Sequence, residues 1–127
     1  MPLKEEIIMS NFISYIITSL ILNSLQISGN AEGIGILLNI LPGYEYENGK
    51  RTDTQTFLKY QVVYPDKRFE KVTVKVPGTK PVVTEEQLEQ QNGKIKVRFK
   101  NLTGKIYRSN SGDLMLSCKA DGVEVIV

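Results

Sequence analysis

The chemistry open to this chain is set first by what it lacks. None of its 127 residues is histidine, and Cys118 is the lone cysteine. That removes Ser-His and Cys-His nucleophile pairs and histidine-ligated zinc, and it leaves no intrachain disulfide. What the chain does carry is cations interleaved with aromatics. Residues 57–76, FLKYQVVYPDKRFEKVTVKV, hold Lys59, Tyr60, Tyr64, Phe69, Lys71 and Lys75. Six cations and no acid then run from Lys94 to Arg108, among them Lys96, Arg98 and Arg108, with Tyr107 beside the last. Ammonium and guanidinium groups neutralise phosphates, and flat rings stack on bases for about 1–3 kcal/mol each. These residue types point to holding a single-stranded nucleic acid, with no catalytic residue, metal or cofactor assigned.

Two other constellations carry less. Gly33-Ile34-Gly35 has the look of part of a phosphate loop, but neither nucleotide-binding fingerprint is completed, so glycines at a strand bend are the plainer account. Glu45 and Glu47 lack a third ligand and read as solvated loop residues. The same loop, residues 44–56, offers an Asn48-Gly49 turn and two exposed cations, Lys50 and Arg51, which join the candidate binding residues.

The elements that must position these groups are mostly strands. Val72, Val74 and Val76 alternate with Lys71, Thr73 and Lys75, the period of a half-buried strand, and Pro65-Asp66 supplies the turn before it. The register of this hairpin decides which aromatics face water. A four-residue loop pairs Tyr64 with Phe69 and puts Leu58, Tyr60, Val62 and Tyr64 on one face with Lys71 and Lys75. One extra loop residue, or a bulge, puts them with Val72 and Val74 in the core. Lys71 and Lys75 stay opposite the valines in both cases. Ile34 to Leu41 predicts a long strand bent at its glycines, and Ile95, Val97 and Phe99 alternate with cations in another. Thr84-Glu85-Glu86-Gln87 is a capping box for one short helix ending near Asn92-Gly93, with Leu88 as its apolar anchor. Asn101 to Gly104 reads as a bulge or turn past which that strand continues extended over 105–108, and a last strand, 114–120, leads into the apolar tail.

The N-terminal quarter is different in kind. Residues 7–27, IIMSNFISYIITSLILNSLQI, contain no charge and are long enough to span a bilayer. Wound as a helix, Ser10, Asn11, Ser14 and Thr18 gather on one side, which predicts an amphipathic helix on a core or a partner. A signal peptide is the rival, given the small residues Gly29-Asn30-Ala31, although Glu5 and Glu6 offset Lys4 in its first part. A membrane anchor is the third alternative. Lys4-Glu5-Glu6 is codable as a purine-rich ribosome-binding sequence ahead of Met9, so residues 1–8 are a candidate non-native leader.

Length and composition fit one ordinary globular domain: 41% hydrophobic, 24% charged, net charge +2. Any attraction to a polyanion therefore depends on where charge is placed. The order strand, strand, strand, short helix, strand, strand predicts a mainly β fold, a five-stranded OB-like barrel over residues 25–127. Its single helix lies between strands 3 and 4, and residues 1–24 form a hydrophobic helical segment before it. An SH3-like barrel or a small sandwich are the alternatives. In an OB fold the second and third strands and the loops joining strands 1–2 and 4–5 face the ligand. Those places hold the 57–76 hairpin, Lys50-Arg51 and the turn after Arg108.

The segments GIGILLNILPGYEYENGKRTDTQT, KYQVVYPDKRFEKVTVKVPG, VRFKNLTGKIY and LSCKADGVEVIV resemble small OB-fold proteins of Gram-positive conjugative elements and phages. The resemblance covers residues 25–127. It implies single-stranded DNA binding, with RNA the other polymer of that chemistry, during conjugative transfer or replication in a bacterial cytoplasm, without enzymatic activity. Homo-oligomers are compatible with it. Two other functional readings stay open: an exported or membrane-anchored β-domain that binds a partner, and a structural part of a phage or transfer machine.

Overall fold

The structure, a computed structural model, describes residues 21–126. Residues 1–20, where most of the expected N-terminal helix falls, lie outside them, as does Val127. In chain order the elements are β1 (Ile21–Leu22), α1 (Ser24–Ser28), β2 (Ile34–Glu47), β3 (Lys50–Tyr64), a single 3-10 turn (Pro65–Lys67) and β4 (Glu70–Pro77). Then come α2 (Glu85–Gln90), β5 (Lys96–Lys100), β6 (Thr103–Arg108), β7 (Leu114–Lys119) and β8 (Gly122–Ile126). The protein is mainly β. Among the described residues eight strands form one mixed sheet in the order β1-β6-β7-β4-β3-β2-β5-β8, antiparallel except for the β4–β7 pair.

The described end of the expected N-terminal helix is not helical throughout. Ile21–Leu22 pairs with β6, and Asn23 then starts a separate five-residue helix. The cause is local. Asn23 accepts from the Gln26 backbone N–H at 2.9 Å while the Gln26 side chain accepts from the Asn23 N–H at 2.9 Å, a capping box that sets the helix start there. Gly29, at φ +79°, ends it in the left-handed conformation. The same helix, Ser24–Ser28, lies ahead of the expected long strand, which runs as β2 from Ile34 to Glu47. Asn30 then fixes the entry to β2, accepting from the Ile34 N–H and donating to the Ile34 carbonyl and to Asp66.

Beyond the predicted five strands, the last two are each broken in two. β5 and β6 are separated by Asn101-Leu102, and β7 and β8 by Ala120-Asp121. Both breaks sit at one level of the β5–β6/β7–β8 hairpin, tied by Asn101 Nδ2 donating to Asp121 at 2.7 Å. At that bend the hairpin changes partner. Its β5 half pairs with β2, and its β7 half pairs with β4. Ala120 N–H donates to the Lys75 carbonyl and Asp121 N–H to the Lys100 carbonyl, so the bend leaves neither amide unpaired.

The core lies on the inner face of the β2–β3–β4 ribbon. Tyr60, Val62, Tyr64, Val74, Val97 and Leu37 are its most enclosed side chains, with Cys118 and Ala120 from the far hairpin. Gly35 makes room for the Tyr64 ring: a Cβ there would lie 2.6 Å from it. Tyr60 packs edge-on to Phe99, with centroids 6.0 Å apart, and its hydroxyl accepts from the Val82 N–H at 3.1 Å. Helix α2 carries the capping box expected of it, Thr84 with Gln87, and Leu88, Val82 and Val83 pack against the core.

Candidate nucleic-acid interface

The hairpin register settles which side chains meet water. β3 and β4 pair as Tyr64↔Glu70, Val62↔Val72, Tyr60↔Val74 and Leu58↔Val76, with five residues, 65–69, between the paired ends. The loop is one residue longer than the four-residue turn. Tyr60 and Tyr64 are therefore core residues, 1% and 0% exposed, and as stacking platforms they are corrected. Burial also raises the Tyr60 and Tyr64 hydroxyls above the usual tyrosine range, more so for Tyr64. The extra residue is accommodated because Arg68 and Phe69 both take positive φ, +57° and +59°. Phe69 is consequently 69% exposed at the hairpin tip and does not share the strand face with the lysines.

That register gives the outer face a definite composition. Along β3 it holds Phe57, Lys59, Gln61 and Val63; along β4, Lys71, Thr73 and Lys75. Cross-strand rows can be followed over neighbouring strands. Lys59 is opposite Lys75, and Lys75 is opposite Lys119 of β7. Lys71 is opposite Val63, Val63 opposite Ile36, and Ile36 opposite Lys96 of β5. Like charges directly opposite destabilise a ladder, and among the described residues the one ion pair is Arg98–Glu124 at 2.7 Å, on another strand pair. Lys59, Lys71, Lys75, Lys96 and Lys119 thus have no carboxylate partner among the described residues. Sheet stability gives no reason for that row.

One aromatic lies beside it. Phe57 rests on Gly43, directly across in β2, where a Cβ would collide with its ring. The Lys75 ammonium stands 5.7 Å from the Phe57 ring centroid. Farther out, β2 and β3 continue past the body of the sheet as a two-stranded arm. There Arg51 stacks on Tyr44, 4.0 Å from the ring centre, and Tyr46 is 70% exposed. Lys50 closes the arm opposite Glu47.

Of the residues expected in the site, Lys59, Lys71, Lys75 and Lys96 share the outer rows, and Lys50 and Arg51 belong to the arm. Arg98 is turned to other use, its guanidinium held by Glu124. Tyr107 is exposed on β6 opposite Met115, and Arg108 donates to the Gly112 carbonyl at 3.2 Å, bracing its own turn. Neither falls in the lysine rows. The residues that sequence reasoning passed over are Phe57, Lys119, Tyr44 and Tyr46. Phe57 was legible once the register was known, since it shares the parity of Lys59. Lys119 was not, because its neighbour is set by a parallel pairing with β4. Among the described residues there is no cluster of three or more potential metal ligands, and no helix is long and apolar enough to cross a membrane. Comparison with family models, with curated proteins and with solved structures gives no significant match.

Proposed function

We propose that this chain is a non-enzymatic binder of single-stranded nucleic acid, DNA in the first instance, acting in the transfer or replication of a mobile element in the cytoplasm. The observation that carries the reading is the row Lys59–Lys75–Lys119, three ammonium groups on adjacent strands without acidic partners among the described residues, bordered by the outward Phe57 ring. Phosphates are the counter-ions such a row lacks, and an unstacked base is the partner a ring on a polar strand face lacks. Duplex DNA presents no free base faces to Phe57, so the combination favours a single strand.

The fold we propose for this function is an OB-type barrel of five bent strands: β2, β3, β4, β5 with β6, and β7 with β8. Two pairings and one continuity of the chain support it. β2 meets β5 antiparallel, β4 meets β7 parallel, and the bent hairpin that supplies β5 and β7 is one continuous piece of chain. The short helix α2 falls between the third and fourth of these strands, as that fold requires. The outer face of β3 and β4 is then the ligand face, and the β2–β3 arm flanks it.

Fluorescence anisotropy with a labelled oligo-dT at low salt tests the proposal. Saturable binding is expected, and the pair Lys71→Glu with Lys75→Glu is expected to abolish it while circular dichroism stays unchanged. Absence of binding by the folded parent chain overturns the function, and unaltered affinity in the double variant removes the site from this face.

A further inference from the structure

The hairpin tip between β3 and β4 holds a conformation that its own residues disfavour. Arg68 and Phe69 are consecutive left-handed residues, at φ +57° and +59°, and a residue with a Cβ is strained in both places. The tip is nonetheless well fixed. The Phe69 N–H donates to the Tyr64 carbonyl at 3.0 Å, and Asp66 accepts from the Asn30 amide at 3.1 Å. Gly29 lies so close beneath that a Cβ on it would stand 2.7 Å from the Asp66 carbonyl oxygen. What this holds out is a phenylalanine, 69% exposed, beside the exposed cations Lys67 and Arg68. Asp66 is turned back to Asn30 and Glu70 lies across from Tyr64, and neither tip cation has an ion-pair partner among the described residues.

Helix α2 presents the converse. Its last turn carries Glu89, where the negative end of the helix dipole opposes a carboxylate, and Glu85 four residues back repels it. No cation pairs with either among the described residues. Nearby, the β2–β3 register slips between Leu37 and Asn39, and Leu38 stands outside the pairing, 36% exposed. Between this bulge and the helix runs a groove of about 460 Å³, lined by Leu38, Asn39, Glu85, Leu88, Glu89 and Asn92. We propose that the groove receives the Lys67-Arg68-Phe69 tip of a second copy of this chain, the Phe69 ring against Leu38 and Leu88 and the Arg68 guanidinium between Glu85 and Glu89. Charge complementarity selects that occupant. Fold stability accounts for neither the unpaired acids nor the unpaired cations, and each set is the counter-charge the other lacks. Size agrees, since a cavity of about 150 Å³ already holds a benzene ring. Phe69 is exposed in its own chain, and β4, at ~3.3 Å per residue, sets the tip ~25 Å from the strand end that leads to α2. The contact therefore joins one copy to another through two different surfaces. This inference does not depend on the nucleic-acid reading.

The test is sedimentation velocity of the full chain at low salt without nucleic acid, over about 10 to 500 µM, the range suited to a contact well under the ~1,200 Å² of stable interfaces. The parent is expected to assemble as its concentration rises. Two variants break one surface each while easing the strain there. Phe69→Gly removes the ring at a left-handed position that glycine favours, and Glu89→Lys turns a repelling pair on α2 into an attracting one. Each is expected to stay monomeric throughout and to unfold in urea at a midpoint no lower than the parent's. Mixed in equal amounts, the two retain one intact tip and one intact groove between them, so a 1:1 pair is expected and nothing larger. A parent that stays monomeric, a single variant that assembles as the parent does, or a mixture that lacks the pair or grows beyond it would each overturn the proposal. So would a lower midpoint in either variant, which would mean that the residue serves the fold.

Discussion

Phe57 is the residue on which the stacking half of the proposed function turns, and Gly43 is what allows its ring to lie where it does. A methyl group at position 43 has no room beneath the ring. Gly43→Ala is therefore expected to lift Phe57 off the sheet and weaken oligonucleotide binding by roughly tenfold, toward the low end of the 1–3 kcal/mol attached to one stacked base. Phe57→Ala should cost about the same, and the double variant no more than either alone, because both remove one contact. Anisotropy titrations of the three proteins decide this; additive losses would mean that Gly43 acts through the strand and not through the ring. A second residue reports on stability. Burial pushes the Cys118 thiol up to about 11 from an ordinary 9.0, with the Glu70 charge adding to it. The folded chain therefore keeps the thiol proton after the unfolded chain has lost it, so this contribution is whole below pH 9 and gone above about 11. Urea unfolding of the parent is expected to show stability falling from pH 9 upward, and Cys118→Ala to flatten the curve between 9 and 10. Above 10 the buried tyrosines add their own loss.

Among the elements, the bent hairpin of β5–β6 and β7–β8 does the most to organise the fold, since it pairs with β2 at one end and β4 at the other. Asn101 secures the bend twice over: its φ is +53°, and its amide donates to Asp121. Asn101→Gly keeps the backbone and loses the hydrogen bond, while Asn101→Ala loses both. We expect the alanine variant to be less stable than the parent by about 1–2 kcal/mol and the glycine variant to fall between them, read from urea midpoints. Equal stabilities would show that the bend is held by Leu102 and Ala120 packing instead. The bend itself was legible in Asn101 to Gly104, as were the alternating valines, the capping box at Thr84 and the strand-rich order. The hairpin register was not, and the reason is physical. Its fifth loop residue depends on Arg68 and Phe69 adopting left-handed backbone angles, and neither residue type signals that conformation. Phe69, a good strand former, looks like the first paired residue of β4. A one-residue difference in the loop then exchanges the faces of Tyr60, Tyr64 and the lysines. Helix α1 was hidden for a related reason, an asparagine cap inside a run of apolar residues that favoured a single continuous element.

For the molecule as a whole, a net charge of +2 would leave it nearly indifferent to a polyanion if that charge were spread evenly. The proposed face instead concentrates Lys59, Lys71, Lys75 and Lys119 on adjoining strands, while Glu85, Glu86 and Glu89 lie on or beside helix α2. This separation makes a quantitative claim about salt. Each phosphate contact on a single strand contributes about −0.7 to the slope of log K against log salt, so four lysines give a slope of about −3. Lys119→Ala, farthest from the hairpin, should reduce its magnitude by about 0.7 if the strand of nucleic acid crosses from β3 to β7. Phe57→Ala should lower affinity at every salt concentration and leave the slope alone, because a stacked ring releases no counterions. Titrations between 50 and 300 mM NaCl with a labelled oligo-dT separate these contributions. A slope near zero would mean that the lysine row is not a phosphate track. An unchanged slope in Lys119→Ala would confine the path to β3 and β4, and a slope altered by Phe57→Ala would show that the ring positions the backbone instead of stacking on a base.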